Sequence, residues 1–176
     1  MEVHLIRHTT PQVEKGTIYG QRLDVDVTDS FAEEAQILKS QISRLHFDMV
    51  YSSPALRCIR LADHLFDENY VIDQRLLEMD FGDWEGKKWD DIPEHELNEW
   101  MQNYQEISPP GGESMNAIIL RSKDFIDHIK GQNLNKVALI THAGIIRILL
   151  SQYQNIPAEK MFEIKIGFGE VLSIDI

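Results

Sequence analysis

The sequence predicts an α/β fold. Short apolar runs alternate along the chain with longer segments whose apolar residues recur at helical spacing. Two of those runs, Val3–Ile6 and Lys136–Thr141, pass directly into polar turns that carry a histidine, His8 and His142. In open α/β sheets, functional groups collect beyond the carboxyl ends of the strands. Arg7 and His8 are therefore expected within reach of His142.

Val3–Ile6 is flanked by charge and reads as a buried strand that ends in the turn Arg7–His8–Thr9–Thr10–Pro11. Residues 12–29 have no period and contain Gly16, Gly20 and several aspartates, so a loop is predicted. Asp29 or Ser30 can cap a helix there, with Glu33 placed for a capping box. Ala32, Ala35, Ile37, Leu38, Ile42 and Leu45 then recur at helical spacing. Met49–Tyr51 is a second strand. Ser52–Ser53–Pro54 follows as a cap pair and a proline suited to a first helical turn, and the helix ends near Asp67.

Tyr70–Ile72 is a short third strand, and residues 74–92 are irregular and aromatic. Pro93 opens a short helix, Pro109–Gly112 is a loop, and Ser114 starts a helix to about Lys130 with Gly131 at its end. Lys136–Thr141 is the fourth strand and Ile145–Tyr153 an apolar helix. The tail, Met161–Ile166 and Glu170–Ile176, is split by Gly167–Phe168–Gly169 and predicts a hairpin or two short strands.

Hydrophobic content of 43% and charged content of 26% over 176 residues suit one globular domain, 1–176. A net charge of −12 disfavours nucleic acid and anionic membrane surfaces as partners. Cys58 is the single cysteine, so no disulfide within the chain and no thiolate metal cluster can form, and a reducing compartment fits. The apolar run at the start is too short for a signal peptide, and the longest one, Val137–Leu150, is broken by His142 and Arg147. A cytoplasmic location is the expectation.

Among seven histidines, His46, His64, His95 and His128 read as surface or boundary residues and His4 as a hydrogen-bonded core histidine. His8 and His142 stand apart at strand ends, with Arg7 and Arg147 near them in sequence. Planar guanidinium forks suit a phosphoryl group, which fits Arg7 beside His8 and Arg57 and Arg60 in the first turns of a helix. Glu78, Asp80, Asp83 and Glu85 share one apolar, aromatic and acidic segment. A carboxyl group among apolar side chains can be held protonated and serve as a general acid, but the pattern alone does not choose among the four. Motifs for zinc, calcium, nucleotide phosphate loops, dinucleotides and a serine elbow are absent from the sequence, so neither a metal nor a cofactor is expected.

Four segments in this order resemble the histidine phosphatase superfamily, the phosphoglycerate mutase-like enzymes: Leu5–Thr9, Tyr51–Cys58, Leu77–Gly86 and Leu139–Gly144. The resemblance spans nearly the whole chain. It implies a three-layer α/β/α sandwich with a mostly parallel central sheet. It also implies roles: His8 attacks phosphorus in line, Arg7, Arg57 and His142 clamp the phosphoryl oxygens, and Glu78 protonates the leaving oxygen and later activates water. Within the family, the acidic segment and Pro109–Ser114 look most like the α-ribazole phosphatases, which implies release of the 5′-phosphate of α-ribazole phosphate in cobalamin assembly.

The sequence departs from the family pattern in two places. Thr9 replaces the glycine usual after the histidine and must either point away from the phosphate or donate to it. Glu14 stands where relatives carry an asparagine that contacts phosphate, so it is expected to face elsewhere, with Gln21 supplying an amide instead. Thr9, Gln21 and Ala143 thus join Arg7, Arg57 and His142 as expected substrate contacts, and Gly111–Ser114 as shapers of the pocket. The expected partner is a small phosphorylated substrate, met by a monomer or homodimer. The competing readings are a broad sugar-phosphate phosphatase, a phosphoglycerate mutase and a catalytically silent binder of a phosphorylated ligand.

Overall fold

The computed structural model describes residues 1–176, apart from the side chain of Glu159. The elements run β1 (Glu2–Arg7), α1 (Phe31–Ile42), β2 (Met49–Ser52), α2 (Leu56–Phe66), β3 (Val71–Ile72), α3 (Glu94–Asn103), α4 (Met115–Lys130), β4 (Lys136–Thr141), α5 (Ala143–Tyr153) and β5 (Val171–Asp175). Short 3₁₀ turns at Gln74–Leu76, Gly82–Trp84 and Trp89–Asp91 punctuate the irregular aromatic stretch.

The five strands form one sheet in the order β3-β2-β4-β1-β5. Every pairing is parallel except β1 with β5. Because strand side chains alternate between faces, β1 and β4 feed two cores. Val3, Leu5, Val137 and Leu139 pack under α4 and α5, beside Phe125, Ile126 and Ile146. Ile6, Ala138 and Ile140 pack under α1 and α2, beside Leu38, Leu61 and Ala62. The result is the expected three-layer α/β/α sandwich. A smaller cluster of Ile18, Trp84 and Ile92 lies under the partly buried Trp89 and Trp100 and joins the long loop to α3. Among the described residues, no helix is long and apolar enough to cross a membrane.

Three local expectations are corrected. The first concerns the capping box at α1. Ser30 is the cap residue, but its hydroxyl makes no cap bond and instead donates to Glu34 Oε1 at 2.6 Å. Glu34 Oε2 is drawn to Thr10 N, 2.9 Å away, so Glu34 rather than Glu33 ties this helix end to the loop after β1. The second is the cap of α2. Ala55 holds that position, Ser53 is turned inward, and a carboxylate from the long loop, Asp24, accepts from Leu56 N at 2.8 Å. The third is the tail hairpin. Only its second half is a strand, because β1 has one free edge and β5 fills it. The first half coils through a 3₁₀ turn, Ala158–Glu163, and buries Met161 and Ile166 in the α4–α5 core.

Candidate active site

Sheet register assembles the site. Arg7 lies opposite Thr141 in the β1–β4 ladder, and His8 N continues it by donating to Thr141 O at 3.1 Å. On the other side of β4, Ser53 N donates to Ile140 O at 2.9 Å. Three parallel strands therefore end at one level and deliver His8, His142 and the Ser53–Arg57 turn to one place.

His8 is 2% exposed, and Arg57 and His142 are fully buried. The bonds among them assign the tautomers. Thr9 O can only accept, so the 2.7 Å contact to His8 Nδ1 means that Nδ1 carries the proton. Arg57 Nε can only donate, and it points at His8 Nε2 from 3.3 Å. Nε2 is thus an unprotonated lone pair facing the arginine. His142 has the opposite arrangement. Its Nδ1 accepts from Arg57 Nη2 at 3.1 Å, which leaves Nε2–H to donate to Ser53 Oγ at 2.8 Å. Cys58 Sγ lies 3.6 Å from the same nitrogen, and burial pushes its thiol up to about 12, so it stays uncharged.

Burial, followed by the Arg57 charge, lowers the pKa of both histidines well below the ordinary range. Both rings are therefore neutral at pH 7. Gly20 O accepts from Arg57 Nη2 at 3.0 Å, and Asp24 stands 3.9 Å from Arg57 Nη1. Arg7 donates Nη1 to Ile166 O at 2.6 Å. Two aromatic rings lie against the arginines: Phe168 over Arg7 at 3.8 Å and Tyr19 over Arg57 at 5.2 Å. Phe168 also covers the His8 ring, with centroids 5.7 Å apart.

Three buried donors beside His8 find no acceptor among the described residues: Arg7 Nε, Arg57 Nη1 and Thr9 Oγ1. A buried donor left unpaired costs about 1–3 kcal/mol. A tetrahedral oxyanion on the Nε2 side of His8 is the kind of ligand that guanidinium forks satisfy.

Glu78 also borders this space, because its carboxyl group reaches Gly144 N, two residues past His142. Its setting is not the apolar one the sequence suggests. Glu78 Oε1 accepts from Met79 N at 3.0 Å and Oε2 from Gly144 N at 3.1 Å, at the positive end of α5.

Of the residues expected from sequence, Arg7, His8, Arg57, His142 and Glu78 are brought together, with Thr9 buried and bonded to the His8 ring through its carbonyl and Ala143 directly after His142. Gln21 is not among them. Its amide donates to Glu78 O at 2.8 Å and to Glu113 Oε2 at 2.9 Å, so it braces protein instead of reaching for an anion. Gly111 and Gly112 likewise pack against the acidic segment: a side chain at Gly112 would strike Asp80 O and Gly82 N. Glu14 turns to Lys88, 2.6 Å away.

Sequence reasoning missed Ser53 as the partner of His142, Asp24 as the cap and neighbour of Arg57, and the covering rings of Tyr19 and Phe168. Each lies in a loop whose partner is distant in sequence. Only the serine–proline turn before Arg57 carried any signal.

The model of the histidine phosphatase superfamily (branch 1) matches residues 3–176. A Hydrogenobacter thermophilus protein provisionally named phosphoserine phosphatase 2 is 28% identical over 98% of this chain and 88% of its own length. An Escherichia coli K12 protein named adenosylcobalamin/alpha-ribazole phosphatase is 27% identical over 100% of this chain and 90% of its own. The crystal structure of the alpha-ribazole phosphatase from Shigella flexneri matches with a TM-score of 0.89 at 27% identity, covering 100% of this chain and 91% of that one. With a family match across nearly its whole length and the strand-end histidines and arginines converged in one site, the chain belongs to the histidine phosphatase superfamily, branch 1, and is a phosphatase-type enzyme.

Proposed function

We propose that this single-domain chain is a metal-independent phosphomonoesterase that works through a phosphohistidine on His8, and that its substrate is α-ribazole 5′-phosphate. The observation that carries the mechanism is the His8 ring: Nδ1–H is held by Thr9 O, and the unprotonated Nε2 faces Arg57. In the first half-reaction Nε2 attacks phosphorus. The P–Nε2 bond forms as the ester P–O bond breaks, and Glu78 gives its proton to the leaving oxygen. In the second half-reaction water attacks phosphorus, Glu78 takes the water proton, the P–N bond breaks and phosphate leaves. Arg7 and Arg57 hold the equatorial oxygens, and His142, whose Nδ1 accepts from Arg57 and whose Nε2–H goes to Ser53, orients the Arg57 fork; phosphoryl transfer asks mainly for positioning and charge stabilisation.

The substrate assignment is supported by the names of the Escherichia coli and Shigella relatives. The Hydrogenobacter relative favours a second reading, phosphoserine. The lone thiol, Cys58, is free and buried, in keeping with a cytoplasmic enzyme.

The test is phosphate release in chelator from α-ribazole 5′-phosphate, phosphoserine and 3-phosphoglycerate, with His8→Ala beside the wild type. Preference for α-ribazole 5′-phosphate and an inactive, folded His8→Ala support the proposal. Preference for phosphoserine replaces the substrate and keeps the chemistry. Near-normal turnover by His8→Ala removes the nucleophile.

A further inference from the structure

The carboxylate of Glu78 sits on an irregular segment, where no helix or sheet ladder orients the peptide groups. What holds that segment is a set of side chains outside the reacting cluster. Arg121, from α4, commits all five of its N–H groups. Nη1 donates to Arg75 O at 2.7 Å and Leu77 O at 2.8 Å. Nη2 donates to Glu78 O at 3.0 Å and Glu113 Oε2 at 3.0 Å, and Nε to Glu113 Oε1 at 3.0 Å. Glu113 Oε2 also accepts from Asp80 N at 3.1 Å, and the Gln21 amide bridges Glu113 to Glu78 O. The remaining carbonyl, Leu76 O, accepts from Thr141 Oγ1 at 2.7 Å, and Thr141 directly precedes His142.

Four successive carbonyls, 75 to 78, and the Asp80 amide are thus all held. The Arg121 and Glu113 side chains are only 16% and 24% exposed, so water screens their charges incompletely. A planar five-donor fork meets this geometry, and a lysine ammonium with three rotating donors cannot.

We propose that Arg121, Glu113 and Gln21 are positioning residues for the proton transfer: they set where the Glu78 carboxyl stands relative to the leaving oxygen. The proposal rests on the reading of Glu78 as the general acid. A misplacement of about 1 Å in a reacting group can cost about 10²-fold in rate. That loss falls on the proton-transfer step and not on nucleophilic attack, because the frame makes no bond to His8, Arg7 or Arg57.

The experiment compares kcat/KM for two esters in Arg121→Lys, in the milder Gln21→Ala, and in Glu78→Gln. One ester is an alkyl phosphate, whose leaving oxygen needs a proton. The other is p-nitrophenyl phosphate, whose phenolate leaves without one. kcat/KM reports steps only through formation of the phosphoenzyme, so later hydrolysis does not blur the comparison. Arg121→Lys is expected to lose about 10²-fold with the alkyl ester and only a few-fold with the aryl ester, and Gln21→Ala to show the same selectivity on a smaller scale. Equal losses with both esters in Arg121→Lys and Gln21→Ala, beside a selective Glu78→Gln, would mean that the frame is only a structural staple and overturn the proposal alone. Equal losses in Glu78→Gln as well would remove the general acid and the frame together. If Arg121→Lys does not fold, Gln21→Ala decides.

Discussion

Gly144 shows how closely the reacting groups fill their space. It lies in the first turn of α5, where its amide donates to Glu78, and a Cβ there would overlap Glu78 Oε1. The atom in the way is the far end of a flexible side chain, so the carboxylate can swing aside while the backbone stays. Alanine also suits a helix better than glycine by roughly 1 kcal/mol. Gly144→Ala is therefore expected to keep or slightly raise Tm while activity on alkyl phosphates falls by about tenfold or more, toward the loss typical of a missing general acid. Thermal melts beside steady-state rates check this. Unchanged activity would show that the Glu78 carboxylate is not needed where it stands. His8 and His142 are similarly exacting. Their tautomers follow from neighbours that can only accept or only donate, and a residue name alone does not carry that information.

At the scale of elements, residues 20–23 of the long loop after β1 are gathered by one carboxylate. Glu85 accepts from five backbone amides: Gly20, Arg22 and Leu23 on one oxygen at 3.1, 2.8 and 2.7 Å, and Gln21 and Phe81 on the other at 2.9 and 3.2 Å. The loop it pins supplies Gly20 O to Arg57 and Asp24 to the start of α2. Removing the carboxylate leaves several donors without a partner. Bonds to a charged acceptor contribute about 1.5–3 kcal/mol each and do not add fully. Glu85→Ala is expected to destabilise the protein by about 3 kcal/mol, a Tm decrease of roughly 10 °C that calorimetry would detect. A decrease of only a degree or two would mean that water replaces the carboxylate. The sequence marked Glu85 only as one of four acidic candidates in its segment, and the four have separated into different jobs. Glu78 faces the site, Glu85 binds the loop, Asp80 takes Arg22 at 2.9 Å, and Asp83 is largely exposed.

For the whole molecule, the two neutral histidines make stability depend on pH. Their folded pKa values lie below the unfolded value of about 6.5. As pH falls, the unfolded chain binds these protons first, so stability is complete above about 6.5 and declines below it. Each histidine contributes a slope of about 1.4 kcal/mol per pH unit, and the pair about twice that, until the folded pKa values are reached. Urea unfolding between pH 7 and 5.5 measures the slope, and His8→Gln should halve it. A flat profile would show that the rings titrate normally in the folded protein. The carboxylates lowered by partners, such as Asp48 and Asp73, act in the same direction but nearer pH 4.

The sequence by itself determined the α/β class, the segments of all five strands and the identity of the two strand-end histidines. Those are local properties: an apolar run with a polar turn is legible whatever lies across from it, and β4 matched its predicted bounds for that reason. The family motifs added the three-layer order and singled out Glu78 among the four acidic candidates. Only the tertiary structure decided that Gln21 braces Glu78, that Glu34 and not Glu33 secures α1, that Asp24 caps α2, and that the tail offers one strand. Each of these depends on which group, distant in sequence, arrives within hydrogen-bond reach. β1 and β4 lie side by side in parallel register although more than a hundred residues separate them in sequence, and that pairing brings His8 and His142 to one site.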